Sequence, residues 1–170
     1  MSTVVTAVPL SEYLANIYRP DREYLDGELL ERNVGELDHS RQQMLISRYL
    51  FSREKQWGIV VLPGQRVQVT ATRYRVPDIT VVTGSLPSTP ILREPPFLCI
   101  EILSRGDSVD DMQDRIDDYL AFGVPHVWVV NPRELRAFHH TRDGMQEAKD
   151  GILRTANPNI VIPLLELEKL

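Results

Sequence analysis

Two short apolar segments of the chain each contain a single carboxylate. Residues 76–82 have the sequence Val-Pro-Asp-Ile-Thr-Val-Val, with Asp78 as the acid, and residues 97–103 have the sequence Phe-Leu-Cys-Ile-Glu-Ile-Leu, with Glu101 as the acid. Apolar runs of this length, rich in β-branched residues, predict buried strands. Burying an ionised group is unfavourable unless the group is paired or bound to a cation. These two acids are therefore the first candidates for a functional site.

The remaining hydrophobic pattern alternates between helical and strand spacing. Helices are predicted from Ser11 through Ile17, from Asp38 to about Trp57, over 109–122 behind the N-cap Ser108, and over 164–170. Strands are predicted at 59–62, 66–70, 126–130 and 136–140, and a hairpin at 22–32, where Asp-Gly is typical of a type I′ turn.

The order of these elements indicates an α/β protein. The helix over 109–122 joins two apolar strands, so it could serve as the crossover between parallel neighbours. We therefore expect a mixed β-sheet flanked by helices, with an N-terminal hairpin. At 170 residues, the whole chain, 1–170, is expected to form a single domain.

Composition narrows the class of protein. The shares of hydrophobic residues, 42%, and charged residues, 25%, are ordinary for a globular protein. We see no apolar run of the roughly 20 residues that a membrane span requires. The first ten residues also lack the basic start and apolar stretch of a signal peptide. We therefore expect a cytoplasmic protein with no membrane partner, and a buried thiol at its one cysteine, Cys99.

The net charge is −5, which argues against a dedicated nucleic-acid-binding module, because such modules usually carry a basic excess. Two features could offset this charge. One is a local basic cluster of Arg66, Arg73 and Arg75. The other is a metal ion at an acidic site.

Two carboxylates on neighbouring strands can hold a divalent cation for phosphodiester hydrolysis. Asp78 and Glu101 would be ligands of Mg²⁺ (or Mn²⁺), and the backbone carbonyl of Ile102 a third, because hard cations prefer oxygen. Strand alternation leaves Glu101 as the one polar group on the face that it shares with Cys99 and Leu103. Spacing alone leaves an alternative open, in which Asp78 begins a strand after a turn and Glu101 pairs with an arginine.

The same segments resemble a known family. The tracts that carry the resemblance are residues 76–82, Pro-Pro-Phe-Leu-Cys-Ile-Glu-Ile-Leu-Ser at 95–104, and Arg-Ile-Asp-Asp-Tyr-Leu-Ala-Phe-Gly-Val-Pro-His-Val-Trp-Val-Val-Asn-Pro at 115–132. With Tyr-Leu-Asp-Gly-Glu at 24–28 and His39, they resemble the Uma-type family of "putative restriction endonucleases", part of the PD-(D/E)xK nuclease superfamily. The likeness covers most of residues 10–165. It implies a restriction-endonuclease-like fold, Mg²⁺ dependence and a DNA substrate.

The chain departs from the family pattern at one important position. The superfamily places a lysine two residues after the glutamate, where this chain has Leu103, and Uma-type proteins commonly place it on the next helix, where this chain has Arg115. Arginine keeps a positive charge that can stabilise a transition state, but it is a poor general base. Arg115 is the third candidate catalytic residue, and a surface pair with Asp111 or Asp118 is the alternative.

Two further residues are weaker candidates. Glu28 follows the hairpin turn and could contribute a metal contact, while His39 lies near a helix start and could touch substrate. An exposed glutamate and a neighbour of a helix cap are the simpler interpretations. The aspartates in and just before the 109–122 helix are expected to form a solvated face.

Two classes of function follow. The first is a Mg²⁺-dependent endonuclease acting on DNA. A homodimer would suit it, because cutting both strands calls for two sites related by a two-fold axis. The second is a catalytically impaired nuclease-fold protein that serves as a binding or assembly module, which the acidic charge and the missing lysine favour. A third possibility is a nuclease-fold component that is active only with a partner chain.

Overall fold

The computed structural model describes residues 7–32 and 36–169. The strands are β1 (Arg22–Leu25), β2 (Glu28–Glu31), β3 (Ile59–Pro63), β4 (Val67–Thr70), β5 (Arg73–Arg75), β6 (Ile79–Thr83), β7 (Leu98–Ile102), β8 (His126–Asn131), β9 (Arg136–Thr141), β10 (Gly144–Glu147), β11 (Ile152–Arg154) and β12 (Val161–Pro163). The helices are α1 (Leu10–Ala15), α2 (Leu37–Phe51), α3 (Glu54–Trp57) and α4 (Val109–Phe122), and a 3₁₀ helix covers Leu164–Lys169. Within the described ranges, none of these helices combines the length and hydropathy of a bilayer span.

Six strands form the main sheet, in the order β10-β9-β8-β7-β6-β3. β7 and β8 are parallel, and the other neighbours are antiparallel. Helix α4 connects β7 to β8, because parallel neighbours need a crossover connection. Ser108 caps this helix as predicted, since its hydroxyl accepts from the Asp111 amide at 3.0 Å. The predicted α/β architecture, a mixed sheet flanked by helices, is confirmed.

The N-terminal hairpin belongs to a second, antiparallel sheet, in the order β2-β1-β5-β4. At its turn, Asp26 and Gly27 have φ angles of 52° and 103°, which fits the positive φ that a type I′ turn requires. β3 and β4 lie on either side of the Pro63–Gly64 link but in different sheets. This link therefore carries the chain from the main sheet to the second one. β11 and β12 form a separate antiparallel pair.

Two predicted helices differ from the observed ones. α1 ends at Ala15, and the Asn16 side chain donates to the Glu12 carbonyl at 2.7 Å, which satisfies an acceptor at the helix end. The helix predicted to run to Trp57 is divided into α2 and α3. At the division, the Ser52 hydroxyl donates to the backbone carbonyl three residues earlier, a bond that competes with the helical ladder.

The main sheet is covered on both faces. One face carries Ile100 and Ile102, which belong to the same hydrophobic cluster as Leu45 of α2. The other face carries Cys99, which clusters with α4 residues that include Tyr119. The predicted alternation along β7 is thus confirmed, and Cys99 is a buried thiol as expected.

Candidate functional site

Strand pairing brings Asp78 and Glu101 together. Asp78 immediately precedes β6, and Glu101 lies in β7, the antiparallel neighbour in which Ile100 is opposite Ile79. The backbone amide of Ile102 donates to Asp78 Oδ2 at 2.7 Å. Both acids are buried, with exposed fractions of 7% for Asp78 and 0% for Glu101. The two carboxylates that the sequence singled out therefore lie in the same site.

An arginine that the sequence analysis did not single out lies between these two acids. Arg32 follows β2, and its Nη2 donates to Asp78 Oδ1 at 2.8 Å and to Glu101 Oε2 at 3.0 Å. Its Nη1 lies 3.6 Å from Glu23 Oε1. Burial disfavours the charged form of Arg32, but the charges of Glu101 and Asp78 outweigh it and raise the pKa well above the ordinary value. Arg32 is therefore a permanent cation shared by the two carboxylates.

Helix α2 adds two side chains to the Asp78 end of the site. His39 Nε2 lies 3.2 Å from Asp78 Oδ2, and Gln43 Nε2 donates to the Asp78 backbone carbonyl at 2.8 Å. The hydrogen bond with Asp78 raises the pKa of His39, although burial acts in the opposite direction. His39, a weaker candidate from the sequence, thus contacts a proposed metal ligand, while any contact with substrate stays a prediction.

The two central acids have opposite protonation preferences. Burial alone would raise the pKa of Asp78, but the His39 hydrogen bond and the Arg32 charge outweigh it and lower the pKa. Burial also acts on Glu101, where it dominates over Arg32 and raises the pKa. Asp78 is therefore held as a carboxylate, whereas Glu101 accepts a proton more readily than an ordinary glutamate.

Glu101 is fixed by a tyrosine on α4. Tyr119 Oη donates to Glu101 Oε1 at 2.6 Å, inside the protein. Burial raises the pKa of Tyr119 well above its ordinary value, so the phenol stays neutral and keeps its proton as a donor. The second oxygen of Glu101 is the one that accepts from Arg32. Each oxygen of this buried carboxylate therefore has a defined partner.

Arg115 is buried beside the site rather than paired at the surface. Only 4% of it is exposed. Its Nη1 lies 3.2 Å from Asp107 Oδ1 and its Nε lies 3.5 Å from Glu23 Oε2. The alternative of a surface pair with Asp111 or Asp118 is therefore wrong, because the side chain turns inward from α4.

Glu23 is a further acid of the site that the sequence analysis missed. It lies on β1 with an exposed fraction of 0%. Its Oε1 accepts from the Val76 amide at 3.0 Å, and its Oε2 accepts from Arg75 Nη1 at 2.9 Å. The one available signal was an acid inside a strand-like hairpin arm. Its partners are far away in the sequence, so no local pattern identifies them.

Two arginines of the expected basic cluster, Arg73 and Arg75, pair with two aspartates of the expected acidic face. Arg73 Nη1 donates to Asp118 Oδ1 at 2.6 Å, and Arg75 Nε donates to Asp118 Oδ2 at 2.7 Å. Both arginines also pair with Asp114. Arg75 is only 1% exposed. These two arginines are thus engaged as ion-pair partners of α4 and do not form a surface for phosphates.

Glu28 does not join the site. It is the first residue of β2, it is exposed, and it is paired in register with Leu25 across the hairpin. Its predicted metal contact has no support from this position, and the simpler interpretation of a surface glutamate fits the structure.

An open cleft of about 470 Å³ leads to the Asp78 side of the site. Its walls include Arg32, His39, Gln43 and Asp78, and its rim includes Arg19. A larger hollow of about 650 Å³ lies elsewhere, along the loop between β6 and β7. The cleft at Asp78 gives a ligand access to Asp78 and to Arg32, the side chain that contacts both buried acids.

The acids of the site fit a single divalent cation in one respect. Asp78 Oδ1 and Glu101 Oε2 both approach one atom, Arg32 Nη2, at 2.8 and 3.0 Å, so their oxygens converge on one point of positive charge. In the described ranges, no group of three or more His, Cys, Asp or Glu side chains is arranged to hold a metal. A magnesium ion usually keeps several waters and takes only one or two carboxylates, so two acids are enough. The carbonyl of Ile102 as a third ligand stays a prediction.

Comparisons with known proteins agree with this architecture. One solved structure, described as "a putative nuclease belonging to DUF820" from Anabaena variabilis, superposes with a TM-score of 0.80. It shares 21% sequence identity, and the alignment covers 94% of this chain and 98% of that one. At this identity the likeness shows a shared fold. A search of curated proteins found no match.

The family comparison is more specific. The family named Uma2, with the description "Putative restriction endonuclease", matches residues 11–168. That range includes both acids of the central pair and α4 with Arg115 and Tyr119. It also confirms the resemblance carried by the tracts at 76–82, 95–104 and 115–132. Because the match extends over nearly the whole sequence, the chain belongs to the Uma2 family of "putative restriction endonucleases".

Proposed function

We propose that this protein is a metal-dependent endonuclease that hydrolyses phosphodiester bonds in DNA. The observation that carries the proposal is a pair of buried carboxylates, Asp78 and Glu101, whose oxygens converge on one cation position beside an open cleft. Two buried carboxylates side by side destabilise the folded state unless a cation compensates their charge. Family membership supports a nuclease as the reason for this pair.

In this proposal Asp78 and Glu101 hold Mg²⁺ or Mn²⁺, with the Ile102 carbonyl as a further oxygen ligand. A bound divalent ion would supply an activated water and would neutralise charge on the phosphate. His39 and the Ile102 amide orient the Asp78 carboxylate and favour its ionised form. Tyr119 holds the Glu101 carboxylate in one orientation.

Arg115 stands where the family commonly has a lysine. Burial disfavours its charge, but nearby acids, Glu101 first among them, outweigh burial and raise its pKa. It therefore stays protonated, so it can stabilise negative charge but does not accept a proton from water. This predicts a nuclease that is slow for its family rather than one without activity.

A DNA substrate must approach an acidic protein. The arginines of the 73–75 segment are engaged with α4, so they do not supply a phosphate-binding surface. Arg19, which is exposed at the rim of the cleft, is a cation that a phosphate could reach there. We therefore expect weak DNA binding that depends on a divalent cation and falls only gently with added salt, because few phosphate contacts release few counterions.

The second candidate function is a catalytically impaired binding or assembly module. The observation that favours it is the contact of Arg32 with both acids, since this guanidinium compensates their charge without a metal. A homodimer, and activity that requires a partner chain, also stay predictions. The sedimentation coefficient of the purified protein, alone and with DNA, tests the dimer.

Incubation with supercoiled plasmid in Mg²⁺, Mn²⁺ or EDTA tests the proposal. The wild type should nick the plasmid in a divalent metal and not in EDTA, and Asp78→Asn should abolish the nicking. Asp143→Asn, which changes an exposed acid in the turn between β9 and β10, is the matched control and should keep it. If the wild type leaves the plasmid intact in every metal, the binding module becomes the better explanation.

A further inference from the structure

Arg32 occupies the one position at which the two central carboxylates meet. A single atom, Nη2, is 2.8 Å from Asp78 Oδ1 and 3.0 Å from Glu101 Oε2. The Arg32 side chain is only 12% exposed, so water does little to screen these contacts. The guanidinium therefore satisfies both acids directly, through charge-assisted hydrogen bonds that are stronger than neutral ones.

A divalent cation and this nitrogen cannot occupy the same position. Magnesium binds carboxylate oxygen at about 2.0–2.1 Å, inside the space that Nη2 fills between the two acids. The guanidinium and a divalent cation side by side would also repel each other strongly, because like charges are poorly screened where little water is present. An ion shared by Asp78 and Glu101 therefore requires Arg32 to leave.

The structure also provides a place to which Arg32 can move. Its second terminal nitrogen, Nη1, already lies 3.6 Å from Oε1 of Glu23, which is buried on β1. Arg32 also lines the open cleft. A rotation of the guanidinium can therefore release Nη2 while the charge keeps Glu23 or solvent as its partner.

We propose that Arg32 is an internal cation that compensates Asp78 and Glu101 in the metal-free protein and leaves them when a divalent ion binds. The inference rests on the proposed function, because it concerns the same metal position. It adds that the chain carries its own competitor for the metal. This competitor weakens metal binding and stabilises the folded, metal-free protein by compensating the two buried acids. Breaking two charge-assisted hydrogen bonds would by itself lower metal affinity about a hundredfold. New contacts of Arg32 with Glu23 or solvent recover part of this loss, so the net loss should be about tenfold or more.

Manganese binding by wild type and Arg32→Gln tests this inference without any measurement of activity. Free Mn²⁺ is counted by its paramagnetic resonance signal during titration of each protein. Glutamine keeps hydrogen-bond donors beside the acids and removes the competing charge. We expect Arg32→Gln to bind Mn²⁺ about tenfold more tightly, or better. Arg19→Gln, which removes an exposed charge from the same cleft, should bind like the wild type.

The outcomes separate this inference from the proposed function. Equal affinities of wild type and Arg32→Gln, or weaker binding by the variant, overturn the inference and leave the metal site intact. Comparable tightening in Arg19→Gln also overturns it, because the effect is then one of general charge. If no Mn²⁺ binds to the wild type or to Arg32→Gln, the metal site itself is refuted, and with it the proposed function.

A second measurement covers the case in which Arg32→Gln does not fold. Wild-type protein labelled with ¹⁵N-arginine should show a guanidinium resonance for Arg32 that is protected from solvent exchange, assigned by its absence in Arg32→Lys. Saturating Mg²⁺ should shift this resonance and speed its exchange. A resonance that stays in place and stays protected when Mg²⁺ is bound overturns the inference.

Discussion

The hydrogen bond between Tyr119 and Glu101 provides a sharp test of the buried carboxylate. Tyr119→Phe removes one hydroxyl and keeps the ring, so the packing around α4 stays nearly the same. The lost bond is 2.6 Å long and ends on an acid with an exposed fraction of 0%. Hydrogen bonds to charged groups contribute about 1.5–3 kcal/mol to stability. We expect a loss of roughly 2 kcal/mol in the free energy of unfolding.

A second tyrosine gives the matched control. Tyr24 Oη donates to the backbone carbonyl of Val8 at 2.9 Å, and Tyr24 is 5% exposed. Tyr24→Phe therefore removes the same group from a neutral acceptor, which is worth only about 0.5–1.5 kcal/mol. The difference between the two variants isolates the charge of Glu101.

Urea unfolding followed by circular dichroism measures both losses. For a chain of this size the slope is of the order of 2 kcal/mol per molar urea. Tyr119→Phe should lower the midpoint by about 1 M, and Tyr24→Phe by about half as much or less. Tyr119→Phe also lacks a hydrogen bond that favours the ionised form of Glu101. Its loss in the free energy of unfolding should therefore grow as the pH rises. A loss for Tyr119→Phe that does not exceed that of Tyr24→Phe would refute an ionised, hydrogen-bonded Glu101.

Three further perturbations address other parts of the site and the fold. Arg115→Lys should raise a weak plasmid-nicking rate, since lysine can release a proton, and a lower rate would mean that only the fixed charge matters. Glu23→Gln should lower the free energy of unfolding by about 3–5 kcal/mol, because buried Arg75 and Arg115 lose a partner. Glu28→Gln, at an exposed position, should change it by less than about 0.5 kcal/mol. Similar losses in the two variants would contradict the buried network. Burial, with help from His126, lowers the pKa of His139 to about 4. The folded protein therefore binds a proton less readily than the unfolded chain, and stability falls as the pH drops from about 6.5 towards 4. His139→Asn should remove about 2 kcal/mol of that decline between pH 7.5 and 4.5, as measured by urea unfolding; an unchanged decline would assign it to other groups.

The sequence was a good guide to elements and to the central pair of acids. Asp78 and Glu101 stand out because each is the one charge in an apolar strand, and that pattern lies within a few residues of each acid. Turn and cap signals worked for the same reason. The Asp26–Gly27 turn and the Ser108 cap depend on backbone geometry that neighbouring residues set.

The remaining site residues could not be predicted in this way. Arg32 reaches Asp78 across 46 positions and Glu101 across 69, so nothing in the local pattern connects them. The prediction of a basic surface cluster was wrong for Arg73 and Arg75, for a related reason. Charges read along the chain suggest a surface, but Arg75 meets its partners only after β5 packs beside α4. Partners of buried charges are set by tertiary packing, which one sequence does not display.

The ion pairs of Arg75 have a consequence for how this protein can change. Arg75 belongs to the second sheet, and it meets Asp118 on α4, the helix that covers the main sheet. It also pairs with Glu23, and the carboxylate oxygens of Glu23 lie close to Arg32 and Arg115 at the site as well. The charges that tune the site thus also fasten the two sheets to each other. Evolution cannot adjust the chemistry of these positions independently of the scaffold, and we expect accepted substitutions to occur as compensating pairs that span both sheets.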